Sequence, residues 1–311
     1  MKPCLLAAAL FAAGSVFATP AFAAKAPDAP KGNQPSKDEI KLVKVTPEYW
    51  RVILDHPPFN IFGPETVPQF NAVITQLETD PKVRVVVFES DVPGFFLTHY
   101  DFVPPLTDTT GLKNGPTGLP PVPDMLIRLS KAPVVSIVKV RGRATGVGSE
   151  LSLASDMRFA SREKALFSQW EIGAALVPGG GPMARLPRMM GRGRALEVLL
   201  TGDDINGDLA ERYGYVNRSF PDAQLDGFVD KLARRIARFD KQSIADIKKL
   251  VNENSLPPDQ EIGQGWDAFI ESVKRPAAQK NIKVLMDEGL QVKPDVEVRL
   301  PEYTGRLEPV P

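Results

Sequence analysis

The stretch Arg141-Gly-Arg-Ala-Thr-Gly-Val-Gly-Ser-Glu150 decides how this chain is read. Before it, Ala132-Pro-Val-Val-Ser-Ile-Val-Lys-Val140 is rich in β-branched residues and bounded by Pro133, the pattern of a buried strand. After it, Leu151 to Ala154 carries small and apolar residues at helical spacing. The join is therefore predicted as strand, glycine-rich turn, helix. A helix opening at residues 146–148 leaves its first N–H groups without intrahelical partners, and the aligned peptide dipoles add a partial positive charge there. Glycines let a ligand approach the main chain closely, and Glu150 falls in the first turn. That carboxylate either complements the dipole or stands beside an oxyanion site, as proton transfer α to a carbonyl requires.

Upstream, the same grammar repeats. Ile40 to Val45 and Tyr49 to Leu54 are predicted strands, and Pro64 to Leu77 has the helical pattern Val67, Phe70, Val73, Ile74, Leu77. Val83 to Glu89 is the next strand, and its apolar run on both faces indicates a sheet covered on both sides. Gly94-Phe-Phe-Leu-Thr-His-Tyr-Asp-Phe102 is an aromatic run at a strand end, and Val103 to Pro123 is expected as a long irregular loop. Downstream come Phe167-Ser-Gln-Trp-Glu171, a second glycine turn at 179–181, a short strand Tyr215 to Phe220, and amphipathic helices from Leu225 to Glu288. Residues 293–311 read as a Pro-rich polar tail.

Composition narrows the function. The 311 residues carry 38 Lys+Arg against 38 Asp+Glu, so no net field favours nucleic acid or another polyanion. The one cysteine, Cys4, precedes the apolar run Leu5 to Phe17, which is too short to span a bilayer and is followed by the small-x-small motif Ala21-Phe-Ala23. Residues 1–23 are expected to be a Sec-type signal peptide cleaved after Ala23, giving a periplasmic or secreted chain with no membrane span in its mature form. Residues 24–39, polar and Pro-rich, are the expected disordered linker. No thiol remains for catalysis, redox chemistry or metal binding, and with only His56 and His99 no multi-histidine metal site can form.

The ordered motifs resemble the crotonase superfamily, the enoyl-CoA hydratase/isomerase family, over roughly residues 40–290. Leu54-Asp-His-Pro-Pro-Phe-Asn-Ile61 is similar to its first turn, Phe96-Leu-Thr-His-Tyr-Asp101 to its Ala-Gly-x-Asp segment, and Gly142 to Glu150 to its glycine-rich strand-to-helix turn. Ser155-Asp156-Met-Arg-Phe-Ala160, Phe167 to Glu171 and Val177-Pro-Gly-Gly-Gly181 follow in order. The resemblance implies an α/β fold, a crotonase-like ββα spiral at 40–220 with a C-terminal helical oligomerisation region at 221–292, assembled as a homotrimer or hexamer. It also implies a thioester enolate held by two backbone N–H groups, carried here onto Thr98 and Val147, with Glu150 and Glu171 as the acid/base pair. A CoA thioester would be the substrate and no cofactor is implied.

Three positions depart from the family pattern. Thr98-His99-Tyr100 replaces small residues, Trp170 replaces a proline before the second glutamate, and Val147 replaces a glycine. His99, Tyr100, Gly146 and Trp170 are thus expected to line the pocket. His99 either meets the substrate or packs among its aromatic neighbours, and His56 is structural or exposed. Arg141 and Arg143 either meet phosphates or pair with carboxylates such as Asp156, while Asp156 and Asp101 hold turns. The glycines at 179–181 cradle an anion or open a helix. An enzyme is the first expectation, a catalytically idle binding protein of the cell envelope the alternative, and a hydrolase of the same fold the third.

Overall fold

The computed structural model describes residues 39–308. The expected signal peptide, and the expected linker except for its last residue, lie outside the described residues. Glu39, that last residue, is buried and accepts the Thr66 hydroxyl at 2.6 Å, so it belongs to the folded core, not to a disordered linker as its composition indicates.

Strands β1 (Ile40–Lys44) and β2 (Tyr49–Leu54) pair antiparallel and lead into helix α1 (Thr66–Thr79). This helix buries Val67, Phe70, Val73, Ile74 and Leu77, the face its periodicity sets out. Strand β3 (Val85–Ser90) then pairs parallel with β2, and a short β4 (Phe95–Leu97) starts a second sheet. In β3 alternate side chains serve different layers. Val86 and Phe88 belong to the main core, whereas Val85 and Val87 face a second cluster on the other side of the sheet.

The segment expected as a long loop contains α2 (Leu106–Thr110) and the start of α3 (Pro121–Lys131). Proline opens α3 because the first turn of a helix has no use for the missing N–H. Strand β5 (Val135–Val140) and β6 (Arg143–Thr145) flank Arg141-Gly142, and α4 (Val147–Ala154) follows directly. Then come β7 (Met157–Ser161), β8 (Leu166–Ser168) and a 3-10 turn at Trp170–Ala174. Helices α5 (Pro182–Met190) and α6 (Arg192–Thr201), β9 (Ile205–Asn206), α7 (Gly207–Tyr213) and β10 (Arg218–Phe220) complete two sheets, ordered β1-β2-β3-β5-β7-β10 and β4-β6-β8-β9. Apart from β1–β2 and β8–β9, every pairing is parallel.

Helix α8 (Asp222–Ile236) covers the second cluster with Leu225, Val229 and Ala233. Helix α9 (Lys241–Ser255) buries Ile244 and leaves Ile247, Leu250 and Val251 exposed. Helices α10 (Asp259–Val273) and α11 (Pro276–Glu288) return to the main core. The described part of the expected polar tail is instead helical: α12 (Pro294–Val298) and α13 (Leu300–Thr304) bury Val296 and Leu300. Each has a proline in its first turn, so the residues that read as tail composition are the ones that start these helices. No helix among the described residues is long and apolar enough to cross a membrane.

Candidate active site

The site forms where β4 runs past the start of α4. Gly146 sits at φ 53°, ψ −121°, and a Cβ there would meet Glu171 Oε1 at 2.9 Å and the His99 Cα at 3.2 Å. A Cβ on Gly148 would overlap the Leu97 carbonyl oxygen. Glycine is required at both, first for the backbone angle and then for the approach of two main chains. The close approach is what brings the strand end of β4 to the open end of a helix.

Thr98 does not offer its amide to this space. Its N–H donates to Asn60 O at 3.0 Å and its hydroxyl to Phe59 O at 3.1 Å, so the expected oxyanion donor is consumed by local structure. Two residues on, the geometry differs. Phe62 N–H donates to His99 O at 3.1 Å and Asp101 N–H to Phe62 O at 2.8 Å, a parallel bridge that leaves the Tyr100 N–H on the other side of the strand. Among the hydrogen bonds of the described residues, neither Tyr100 N–H nor Val147 N–H has an acceptor. Both residues line one cavity, with His99, Glu150, Trp170 and Glu171. Of the sequence-derived site, then, Val147, Glu150, Glu171, His99, Tyr100 and Trp170 are brought together, Gly146 forms the wall behind Glu171, and Thr98 is excluded.

The two carboxyl groups are both buried, Glu150 to 4 % exposure and Glu171 to 7 %. Burial pushes the Glu150 carboxyl up to about 7, against the opposing pull of the Gly180 and Gly179 N–H groups and of Arg185. The Gly180 N–H donates to its Oε1 at 2.6 Å. The anion that the triple-glycine turn cradles is thus Glu150 itself. Burial, and after it the charge of Glu150, holds the Glu171 carboxyl well above the carboxylate range, and its Oε2 is buried with no hydrogen-bond partner. Of the two, Glu171 holds its proton the more tightly, because it lacks the glycine N–H groups that partly offset burial at Glu150 and also feels that group's charge.

The remaining walls are aromatic. His99 stacks on Phe102 with ring centres 5.9 Å apart and meets the edge of Trp170 at 5.3 Å. The cavity left between these rings, Trp266 and Phe269 is about 30 Å³, room for water and for little else. The indole Nε1 of Trp170 is buried there without a partner.

Other candidate groups are engaged elsewhere. Arg141 pairs with Asp222 and Asp226, not with Asp156, and Arg143 pairs with Asp204 at 2.6 Å. Asp156 accepts from Ser136 and pairs with Lys248 at 2.7 Å. Asp101 accepts from Val103 N–H and Gln291, holding a turn as expected. His56 faces the Ile61 carbonyl at 3.0 Å. Among the described residues no group of three His, Cys, Asp or Glu side chains is arranged to hold a metal ion.

Two features escaped the sequence. Glu297, in the segment expected as tail, lies 3.1 Å from His99 Nε2, with both side chains fully buried. Gln291, just before α12, accepts from Phe102 N–H at 2.9 Å. The i, i+4 spacing of Val296 and Leu300 was the available signal that this segment is amphipathic and docks.

A family model described as enoyl-CoA hydratase/isomerase matches residues 50–295. A crotonyl-CoA hydratase from Syntrophomonas wolfei is 31% identical over 196 residues, covering 62% of this chain and 74% of that protein. The mitochondrial enoyl-CoA hydratase domain-containing protein 2 of Bos taurus is 32% identical over 162 residues, 51% of this chain and 53% of its own length. Among solved structures, an enoyl-CoA hydratase candidate from Streptomyces avermitilis superposes with a TM-score of 0.84 at 37% identity, covering 89% of this chain and 100% of that one.

Proposed function

The chain belongs to the enoyl-CoA hydratase/isomerase family, and from that premise we propose that it adds water reversibly across the double bond of a short 2-enoyl thioester. The single observation that carries this is the pairing, in one cavity, of two buried carboxyl groups with two unused main-chain N–H groups. In this scheme the thioester oxygen sits between Tyr100 N–H and Val147 N–H. Glu150, the more easily ionised partner, takes a proton from water as the hydroxyl adds to the β-carbon. The electron pair of the double bond moves onto the thioester oxygen, and the two amides hold the resulting enolate. Glu171 then delivers its proton to the α-carbon, and the carbonyl re-forms. The proton gained by Glu150 passes to Glu171 to reset the pair, so every proton is supplied by water or by a carboxyl group and the step asks for no cofactor. Double-bond migration uses the same enolate with one carboxyl as shuttle, and it is the neighbouring activity.

The volume of the cavity favours a second reading, a protein that keeps the architecture without turnover, because about 30 Å³ does not admit an acyl thioester unless the rings move. The test is direct. Crotonyl-CoA mixed with the purified protein should lose its conjugated-enoyl absorbance and give the 3-hydroxy thioester. A folded protein that leaves crotonyl-CoA and its longer homologues unchanged would establish the idle alternative.

A further inference from the structure

The ring of His99 and the carboxylate of Glu297 meet across 198 positions of sequence, inside the protein and next to the cavity. Each nitrogen of that ring faces an oxygen. Nδ1 lies 2.8 Å from Tyr100 O and Nε2 3.1 Å from Glu297 Oε2. With an acceptor on both sides the ring carries both protons, and neither N–H is left to touch a substrate. His99 therefore has no free group for proton transfer at the reacting carbons. What it does hold is the main chain of the residue whose N–H faces the cavity.

Glu297 does not act alone. Its Oε1 accepts from Gln291 N–H at 2.7 Å, and the Gln291 side chain accepts from Phe102 N–H and donates to Asp101 Oδ1 at 2.5 Å. The 99–102 loop is thus gripped at three residues by the segment 291–297. Just past this segment, Arg143 donates to the Val298 carbonyl, and Thr304 packs on Gly173 in the turn that carries Trp170 and Glu171. Burying an ion pair adds little to stability by itself, since desolvation offsets the attraction. Its effect here is on geometry.

We propose that Glu297 is a positioning residue of the active site, acting through the His99 ring to fix the 99–102 loop so that Tyr100 N–H points at the reacting oxygen. The proposal rests on the hydratase reading for the role of that N–H, but not for the coupling itself. Burial alone would lower the His99 pKa, and the carboxylate overrides this and raises it, consistent with a charged pair. The groups facing the ring are Glu297, Asp101 and, across Glu297, Arg143.

The coupling is read without catalysis in ¹⁵N-labelled protein, by hydrogen exchange at the Asp101 amide, which the 99–102 loop holds against the Phe62 carbonyl. Glu297→Ala should speed exchange there by about tenfold or more while leaving the Tyr215 amide unchanged. Glu297→Gln, which keeps a hydrogen-bonding group of the same shape, should have a smaller effect, and it replaces the alanine variant if that one does not fold. Where crotonyl-CoA is turned over, Glu297→Ala should lower kcat about tenfold with KM little altered, and should cost nothing further in a His99→Ala background. Unchanged exchange at Asp101, or losses in kcat that multiply in the double variant, would overturn the proposal. A wild-type protein inert to enoyl thioesters would remove the hydratase reading and leave the exchange result to decide the coupling.

Discussion

Glu150→Gln is expected to lower turnover of an enoyl thioester by about 10²- to 10⁴-fold, the usual worth of a positioned general base, while leaving the fold intact. The amide has the shape of the carboxyl group and accepts the Gly180 N–H as Oε1 does. Stability should shift in the opposite direction to activity. The Glu150 carboxyl is raised from its ordinary 4.5 to about 7 by burial, so the folded state binds its proton more tightly than the unfolded chain. Its contribution to stability is therefore full below pH 4.5 and is lost as the pH rises through about 7. The glutamine variant escapes that loss and should melt at a higher temperature than the parent at pH 8, by an amount equivalent to about 1–3 kcal/mol, and with no gain at pH 4. Activity of the parent should fall on the acid side as Glu150 takes up its proton. Thermal melts at the two pH values and a kcat profile check both halves.

The second large effect concerns main chain. Gly148→Ala places a methyl group where the Leu97 carbonyl oxygen lies, and neither partner has a flexible side chain to move aside. Strand β4 and helix α4 must separate, at a cost of roughly 1–3 kcal/mol or more. Since Tyr100 follows β4 and Val147 opens α4, the convergence proposed for their two N–H groups would be lost. The expected loss in kcat is about 10²- to 10³-fold, that of removing one oxyanion donor. Alanine at Gly193, where a Cβ meets nothing, is the matched control and should change neither quantity.

Much of this was legible in the chain. The β-branched run to Val140, the glycines and the small apolar residues after Glu150 fixed strand, turn and helix, because each is a local consequence of sterics and spacing. Glu150 was legible for the same reason, being anchored to that turn, whereas Glu171 came only from the resemblance to the family. Which amide on β4 is free was not. In an extended segment the direction of an N–H depends on the register with its neighbour, and Asn60 and Phe62 set that register from 38 residues away. Thr98 and Tyr100 look equivalent in sequence, yet the first is paired and the second is open. The spacing of Val296 and Leu300 signalled at most that their segment docks, not that Glu297 meets His99, and the prolines around it mimicked a tail. The pairing of Arg141 with Asp222 and Asp226 was likewise set by the packing of α8 against the sheet end.

The ring-lined walls carry a functional meaning of their own. Proteins that stabilise a developing charge benefit when water is kept out, since the same hydrogen bonds are worth more in a poorly polarisable surrounding. In the proposed reaction His99, Phe102, Trp170, Trp266 and Phe269 would keep bulk water from the reacting atoms and set the size of acyl group that can enter.

The convergence of Tyr100 N–H and Val147 N–H on a single oxygen is tested most directly by isotope-edited infrared spectroscopy of crotonyl-CoA, ¹³C-labelled at the thioester carbonyl, bound to the slow Glu150→Gln variant. Two donors aimed at that oxygen should move the carbonyl stretch to lower frequency than in water, and adding Gly148→Ala should return most of the shift. A bound carbonyl that vibrates as it does in water would contradict the convergence.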